Sequence, residues 1–256
     1  MLAALQNVAR LLAAVPGYIY AQKGNQIFVN LYIGSNTSFS LGKQQVIIDQ
    51  ESNYPWDGKI KVKVNPSSKS NFVLSLRIPG WAQGNAMPST LYSFLSKSSQ
   101  IPSVALNGKP VSLNVEKGYV SISREWKKGD VIEINLPMPI NRVVANEKIE
   151  DDKGKIALQR GPLVYCAEAQ DNQGEISNLV VSDNVQFSEE LKTDLLGGVV
   201  IIQGNVSALK ISSDKNSVNT TWQNFIAIPY YSWANRGEGE MKIWLPRKIG
   251  SVKVEP

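Results

Sequence analysis

Lys59-Ile60-Lys61-Val62-Lys63-Val64 is the stretch on which the fold turns. Successive side chains of an extended chain point to opposite faces, so the lysines share one face and the apolar residues the other. A strand with one wet and one buried side reads this way, and β-branched residues suit its pleated surface. Helical spacing would scatter the same residues around a cylinder. Outward from it, residues 72–78 alternate likewise and stop at Pro79-Gly80, while 26–33 is rich in β-branched and aromatic residues. Further on, Asn107-Gly108 separates 104–106 from 111–115. Both central positions of a two-residue hairpin turn want positive φ, which Asn and Gly accept. Residues 119–123 and 131–136 flank Trp126-Lys-Lys-Gly-Asp and read as another hairpin with a longer loop.

A second series of strands follows Pro137-Met138-Pro139, at 155–159, 163–166, 199–202, 209–211, 225–228 and 242–245. Polar stretches at 170–175 and 212–221 read as exposed loops, and 188–196 as a short helix. The proline-flanked linker places a domain boundary near residue 140. Residues 2–15 carry the one long helical pattern, with Leu5, Val8, Ala9, Leu12 and Val15 at three- and four-residue steps. Pro16-Gly17 is expected to stop it. The fold expected is all-β: two β-sandwich, jelly-roll-like domains preceded by one short N-terminal helix.

Composition removes much familiar chemistry. The 256 residues include no histidine, which excludes Ser-His-Asp hydrolysis, Cys-His proteolysis and imidazole-bound metal. One cysteine, Cys166, forms neither an intramolecular disulfide nor a cysteine-rich metal site. The net charge of +5 is spread over dispersed lysines without a basic stripe, so nucleic acid is not an expected partner. No apolar run reaches eighteen residues, so no helical membrane span is expected. Met1-Leu-Ala-Ala-Leu-Gln has no basic stretch before its apolar residues and does not read as a signal peptide. Localisation stays open, a periplasmic or secreted parent included.

Carboxylate pairs serve glycoside hydrolysis without histidine. Glu150-Asp151-Asp152 reads as a solvated turn, because adjacent carboxylates point apart, and Glu168, Glu238 and Glu240 read as isolated acids. Cys166 lies in apolar Leu163-Val-Tyr-Cys-Ala and reads as a core thiol. Trp56, Trp81 and Trp233 fall in turns or at strand ends. Sugars stack on such rings, so these three are the candidates for carbohydrate binding, against plugging the core or an interface.

Several stretches in order resemble the C-terminal part of glycoside hydrolase family 127, the β-L-arabinofuranosidase-like enzymes. They include Asn7-Val-Ala-Arg-Leu-Leu, Pro16-Gly-Tyr-Ile-Tyr-Ala, Asn53-Tyr-Pro-Trp-Asp-Gly, Leu76-Arg-Ile-Pro-Gly-Trp, Ala157-Leu-Gln-Arg-Gly-Pro-Leu-Val-Tyr-Cys and Ile228-Pro-Tyr-Tyr-Ser-Trp-Ala-Asn-Arg-Gly. The resemblance implies three regions: residues 1–16 as a remnant of the last barrel helix, 17–140 plus 241–256 as a first sandwich, and 141–240 as a second. It also implies a catalytic (α/α)₆ barrel, with a zinc-associated cysteine as nucleophile and a glutamate as acid/base. Zinc keeps a thiolate deprotonated, and a thiolate is a strong nucleophile. Aligned on Asn7 and Arg10, the family's cysteine pair falls on Ala3 and Ala4, and its two prolines on Leu5 and Gln6. An alanine methyl neither attacks an anomeric carbon nor binds zinc.

The expectation is therefore a non-catalytic accessory region of a glycosidase, with no cofactor of its own and with zinc belonging to the barrel. The partner expected is that barrel, packed against helix 2–15, which also offers a homodimer surface. The alternatives are a carbohydrate-binding module for plant-type oligosaccharides and a scaffold that docks a separate barrel.

Overall fold

A computed structural model describes residues 2–212 and 217–252, the side chains of 2–6 and 251 excepted. The chain divides into two units. The first comprises residues 1–83 and 100–137, the second 84–99 and 138–256.

The first unit opens with α1 (Leu2–Ala14) and α2 (Pro16–Ile19). α1 ends at Ala14, before Pro16, as expected; Pro16 then opens the separate short α2, because proline is tolerated in a first helical turn, where its missing N–H has no partner to lose. Strands β1 (Tyr20–Lys23), β2 (Gln26–Val29), β3 (Ser35–Leu41), β4 (Gln44–Ser52), β5 (Lys59–Pro66) and β6 (Ser70–Arg77) follow. After β7 (Tyr92–Phe94) in the second unit come β8 (Ser103–Leu106), β9 (Lys109–Val111), β10 (Val115–Glu116), β11 (Tyr119–Trp126) and β12 (Asp130–Asn135). They form a five-stranded sheet, β1-β2-β6-β11-β10, and a six-stranded sheet, β3-β4-β5-β12-β8-β9.

The alternation read in 59–64 holds. Ile60, Val62 and Val64 are buried and meet Ile27, Leu74, Leu76 and Val120 of the other sheet in one core. The hairpin at Asn107-Gly108 is also present, with φ of 50° and 75°. The segment Trp126–Asp130 is different from the hairpin expected. β11 pairs with β6 in one sheet and β12 with β5 and β8 in the other, so the turn is an arch between sheets. Trp126 explains it: its ring is buried, stacks on Phe72 at 5.5 Å and donates from Nε1 to the Phe72 carbonyl at 3.0 Å. Asp130 fastens the arch by accepting from the Lys127 N–H and from Asn107 Nδ2.

The second unit contains β7, β13 (Ile140–Ala145), β14 (Lys155–Arg160), β15 (Leu163–Glu168), β16 (Leu179–Val180), β17 (Phe187–Lys192), β18 (Val199–Ile211), β19 (Val218–Pro229), β20 (Met241–Lys242) and β21 (Leu245–Pro246). They join as a ten-stranded sandwich-like sheet along β16-β18-β19-β15-β14-β13-β7, with β17, β20 and β21 on the remaining edges. Its core gathers Leu158, Tyr165, Ile202, Val206 and Phe225.

Five readings change here. Residues 241–246, expected in the first sandwich, complete edges of β15 and β14 instead. Residues 84–99 also belong to this unit, since β7 pairs with β13 and Tyr92 stacks on Trp244 at 5.4 Å. The expected helix at 188–196 is β17, paired with β18 from Phe187 to Lys192, because the β18 edge offers six residues of ladder that a lone short helix cannot match. The stretch from 199 to 211 is one strand, with Gly204 giving room for the Phe187 ring. Its partner β19 starts at Val218, inside the expected loop. Residues 213–216 of that loop and 253–256 of the expected C-terminal return lie outside the described residues.

Candidate functional site

The three tryptophans fare differently. Trp81 packs against the first core and lies nearly parallel to Tyr54, with centroids 6.5 Å apart, so it plugs the sandwich rim. Trp56 is half-buried in the β4–β5 loop, whose turn is closed by its own N–H bonding the Asn53 carbonyl at 2.8 Å. Trp233 is 43% exposed and lies within 13° of parallel to Tyr230, beside exposed Tyr231. Of the three it is the ring that offers a face to solvent.

A buried ionic network holds the Trp233 loop. Glu168, at the end of β15, is 4% exposed and accepts from the Ala234 N–H at 3.1 Å, from Gln170 Nε2 and from Arg236 Nη2. Arg236 also binds both carboxylate oxygens of Asp171. Burial would push Glu168 up, but the Ala234 N–H, Arg236 and Gln170 outweigh it and hold the carboxyl below its usual range. The Asp171 and Glu168 carboxylates raise the Arg236 guanidinium in turn. Such a carboxylate is a structural anion, ionised and fully occupied by donors, and makes a poor general acid. Glu240, tied to the Ser177 hydroxyl at 2.9 Å, closes the other end of the loop.

Cys166 is 1% exposed, and burial together with the nearby Glu168 charge pushes its thiol up to about 12. It stays protonated near neutral pH and is no nucleophile there. Ala3 and Ala4 lie on the backbone of α1, their side chains outside the described residues. Among the described residues no group of three or more Cys, Asp or Glu side chains could hold a metal ion. No described helix is long and apolar enough to cross a membrane.

Sequence reasoning missed Tyr230 and Tyr231 as neighbours of the Trp233 ring, and it missed Trp222, 62% exposed on β19. The two tyrosines were legible in Ile228-Pro-Tyr-Tyr-Ser-Trp as consecutive aromatics at a strand end. The Glu168–Arg236 pair, 68 residues apart in sequence, had no local signal.

Two β units, between which the chain crosses at 83/84, 99/100 and 137/138, define an all-β class of protein, and comparison with known proteins places it. The "Beta-L-arabinofuranosidase, GH127 middle domain" profile matches residues 26–138, and the "Glycoside hydrolase family 127 C-terminal domain" profile matches 140–246. The chain belongs to glycoside hydrolase family 127. It is 33% identical over 261 residues to a non-reducing end beta-L-arabinofuranosidase of Bifidobacterium longum subsp. longum, covering 94% of this chain and 36% of that protein. A solved GH127 beta-arabinofuranosidase superposes with a TM-score of 0.93 at 39% identity, over 98% of this chain and 39% of its own. A GH127 beta-L-arabinofuranosidase from Geobacillus stearothermophilus T6 gives 0.84 at 38% identity, over 94% and 37%. The chain thus spans little more than a third of the length of these relatives.

Proposed function

We propose that this chain is the non-catalytic accessory region of a β-L-arabinofuranosidase-like glycosidase, and that it packs against a catalytic barrel. The observation that carries the reading is the match itself: both profiles describe middle and C-terminal domains, while the relatives are more than twice as long. Two features support it. The lone thiol is buried and protonated, and the Glu168 carboxylate, held below its usual range, is consumed by Arg236. On α1, Val8, Leu11 and Leu12 are 55%, 58% and 66% exposed, an apolar stripe of the kind that a partner covers. A helix whose stripe is solvated gains little from its own fold, so the barrel is the occupant proposed for it. A second copy of this chain is the competing occupant.

The deciding experiment is turnover of 4-nitrophenyl β-L-arabinofuranoside by the purified chain. The expected result is no release above the buffer rate, with or without added zinc. Enzyme-like turnover abolished by Cys166→Ser would overturn the proposal. Light scattering separates the two occupants: a monomer that dimerises only through Leu11 and Leu12 would favour the second copy.

A second reading, a module that binds plant-type oligosaccharides, is favoured at one point by the exposed Trp233 ring beside Tyr230. Saturable arabinan binding lost in Trp233→Ala would support it.

A further inference from the structure

A groove of about 620 Å³ runs over the solvent face of the six-stranded sheet in the first unit. Strand register builds it. Glu51 on β4 stands opposite Lys61 on β5, Lys61 opposite Glu133 on β12, and Glu133 opposite Ala105 on β8. Registered partners in antiparallel strands point to the same face, and strands lie about 4.8 Å apart, so this row crosses about 14 Å of sheet. A parallel row two residues along runs Lys59, Asn135 and Ser103. Ala105 and Ser103 are short, which lowers the floor on the β8 side.

The end of the groove is walled by Asn53 and Asp57 of the β4–β5 loop. That loop is fixed in place. The Trp56 N–H bonds the Asn53 carbonyl, Asp57 Oδ1 accepts from the Lys59 N–H at 2.9 Å, and the Tyr54 ring is held between Tyr32 and Trp81. Gly58 is required beside it, since a Cβ there would fall 1.8 Å from the Leu136 carbonyl oxygen.

Two properties point to the occupant. Lys59, Lys61, Glu133 and Asn135 make no side-chain hydrogen bond or ion pair within the described residues, while Glu51 reaches only Lys63, at 3.6 Å. Their donors and acceptors are therefore available. Signs alternate along the first row, Glu51, Lys61 and Glu133, and the second carries one cation, Lys59, opposite the acid Asp57 of the loop, so no strong field of either sign forms, and a phosphate or polyanion gains little there. A ligand that both donates and accepts at many points, and carries no charge, matches such a surface.

We propose that this groove is a glycan-binding site for a neutral oligosaccharide of about three rings, in the size range of ordinary ligand clefts. Recognition is by hydrogen bonds to hydroxyls from Lys61, Glu133 and Asn135, with Asn53 and Asp57 at the end wall. This goes beyond the accessory reading and does not depend on it, because the site lies wholly in the first unit and needs no catalytic group. It also differs from the Trp233 site, which lies in the second.

The test is calorimetric titration of the 256-residue chain with linear arabinotriose, xylotriose and maltotriose, and with inorganic phosphate as a charged control. Saturable binding of at least one trisaccharide and none of phosphate is expected. Ala105→Arg, which fills the floor, and Glu133→Ala, which removes a charged hydrogen-bond partner, should each weaken it about tenfold or more. Both positions face solvent, and unchanged melting midpoints check the fold; should Ala105→Arg melt early, Glu133→Ala alone carries the test. Trp233→Ala should leave binding intact. The proposal falls if no trisaccharide saturates, if binding ignores Glu133→Ala, if phosphate binds as well as the sugars, or if Trp233→Ala abolishes binding.

Discussion

In the first unit the core comes from two facing sheets, and three of its described buried side chains are polar: Gln50, Ser75 and Asp130. In the second unit there are eight, Arg160, Glu168 and Asn172 among them. Asn172 has no exposure and stitches the unit together, donating to the Glu168 and Ile226 carbonyls and accepting from the Ile226 N–H. The first unit thus specifies itself by apolar alternation and turn chemistry, the second by buried polar partners over long sequence separations. Apolar burial is tolerant of shape, whereas a buried polar group is costly once its partner goes.

Amide exchange, read strand by strand, can break this comparison. Trp126→Ala should have the largest effect, about 4 kcal/mol off the opening free energy of β6 and β11, since it removes a buried ring and its cavity does not close. An equal loss in β18 and β19 would mean that the two units open as one. Arg236→Ala should cost about 3 kcal/mol in the second unit, because it strands the buried Glu168 carboxylate. A loss under about 0.5 kcal/mol, the range of an ordinary surface substitution, would remove the polar network from its structural role.

The pH dependence sharpens the same contrast. Glu168 sits below its unfolded value, so its stabilisation is complete above about pH 4.3 and is lost as pH falls through the folded value. Protection of the Ala234 N–H, which Glu168 accepts, should vanish on that descent. In Arg236→Ala the loss should move to higher pH, since burial then acts on Glu168 with one counter-charge fewer. Asp130, also held low, should release the Lys127 N–H of the arch in the same direction. The smallest effect is expected from Tyr165→Phe, about 1 kcal/mol for the hydrogen bond to the Val200 carbonyl at 3.0 Å.

Strand positions were legible because period-2 alternation is a local property, as at 59–64, and the Asn107-Gly108 turn because φ demands are local too. Sheet membership was not. Trp126-Lys-Lys-Gly-Asp has good hairpin chemistry, yet whether its strands pair or part depends on where the Trp126 ring finds a cavity. The same limit applies to the site. Trp233 stood out by residue type, but the carboxylate that fixes its loop lies 66 residues away. The groove on the six-stranded sheet was hidden more thoroughly, since Lys59 and Lys61 read as an ordinary wet face until Glu133 and Asn135 come alongside.

The placement of β7 has a practical consequence for cutting and making this protein. The chain passes from the first unit to the second at 83/84, returns at 99/100 and leaves again at 137/138. A fragment starting at 140, where the C-terminal profile begins, would carry β13 without β7 and present a naked strand edge, the usual template for aggregation. On the ribosome the order is reversed: β7 emerges well before β13 exists and must wait unpaired while residues 100–137 of the first unit are made. Domain dissection should therefore keep 84–99 attached to the C-terminal half by circular permutation, not by a single cut.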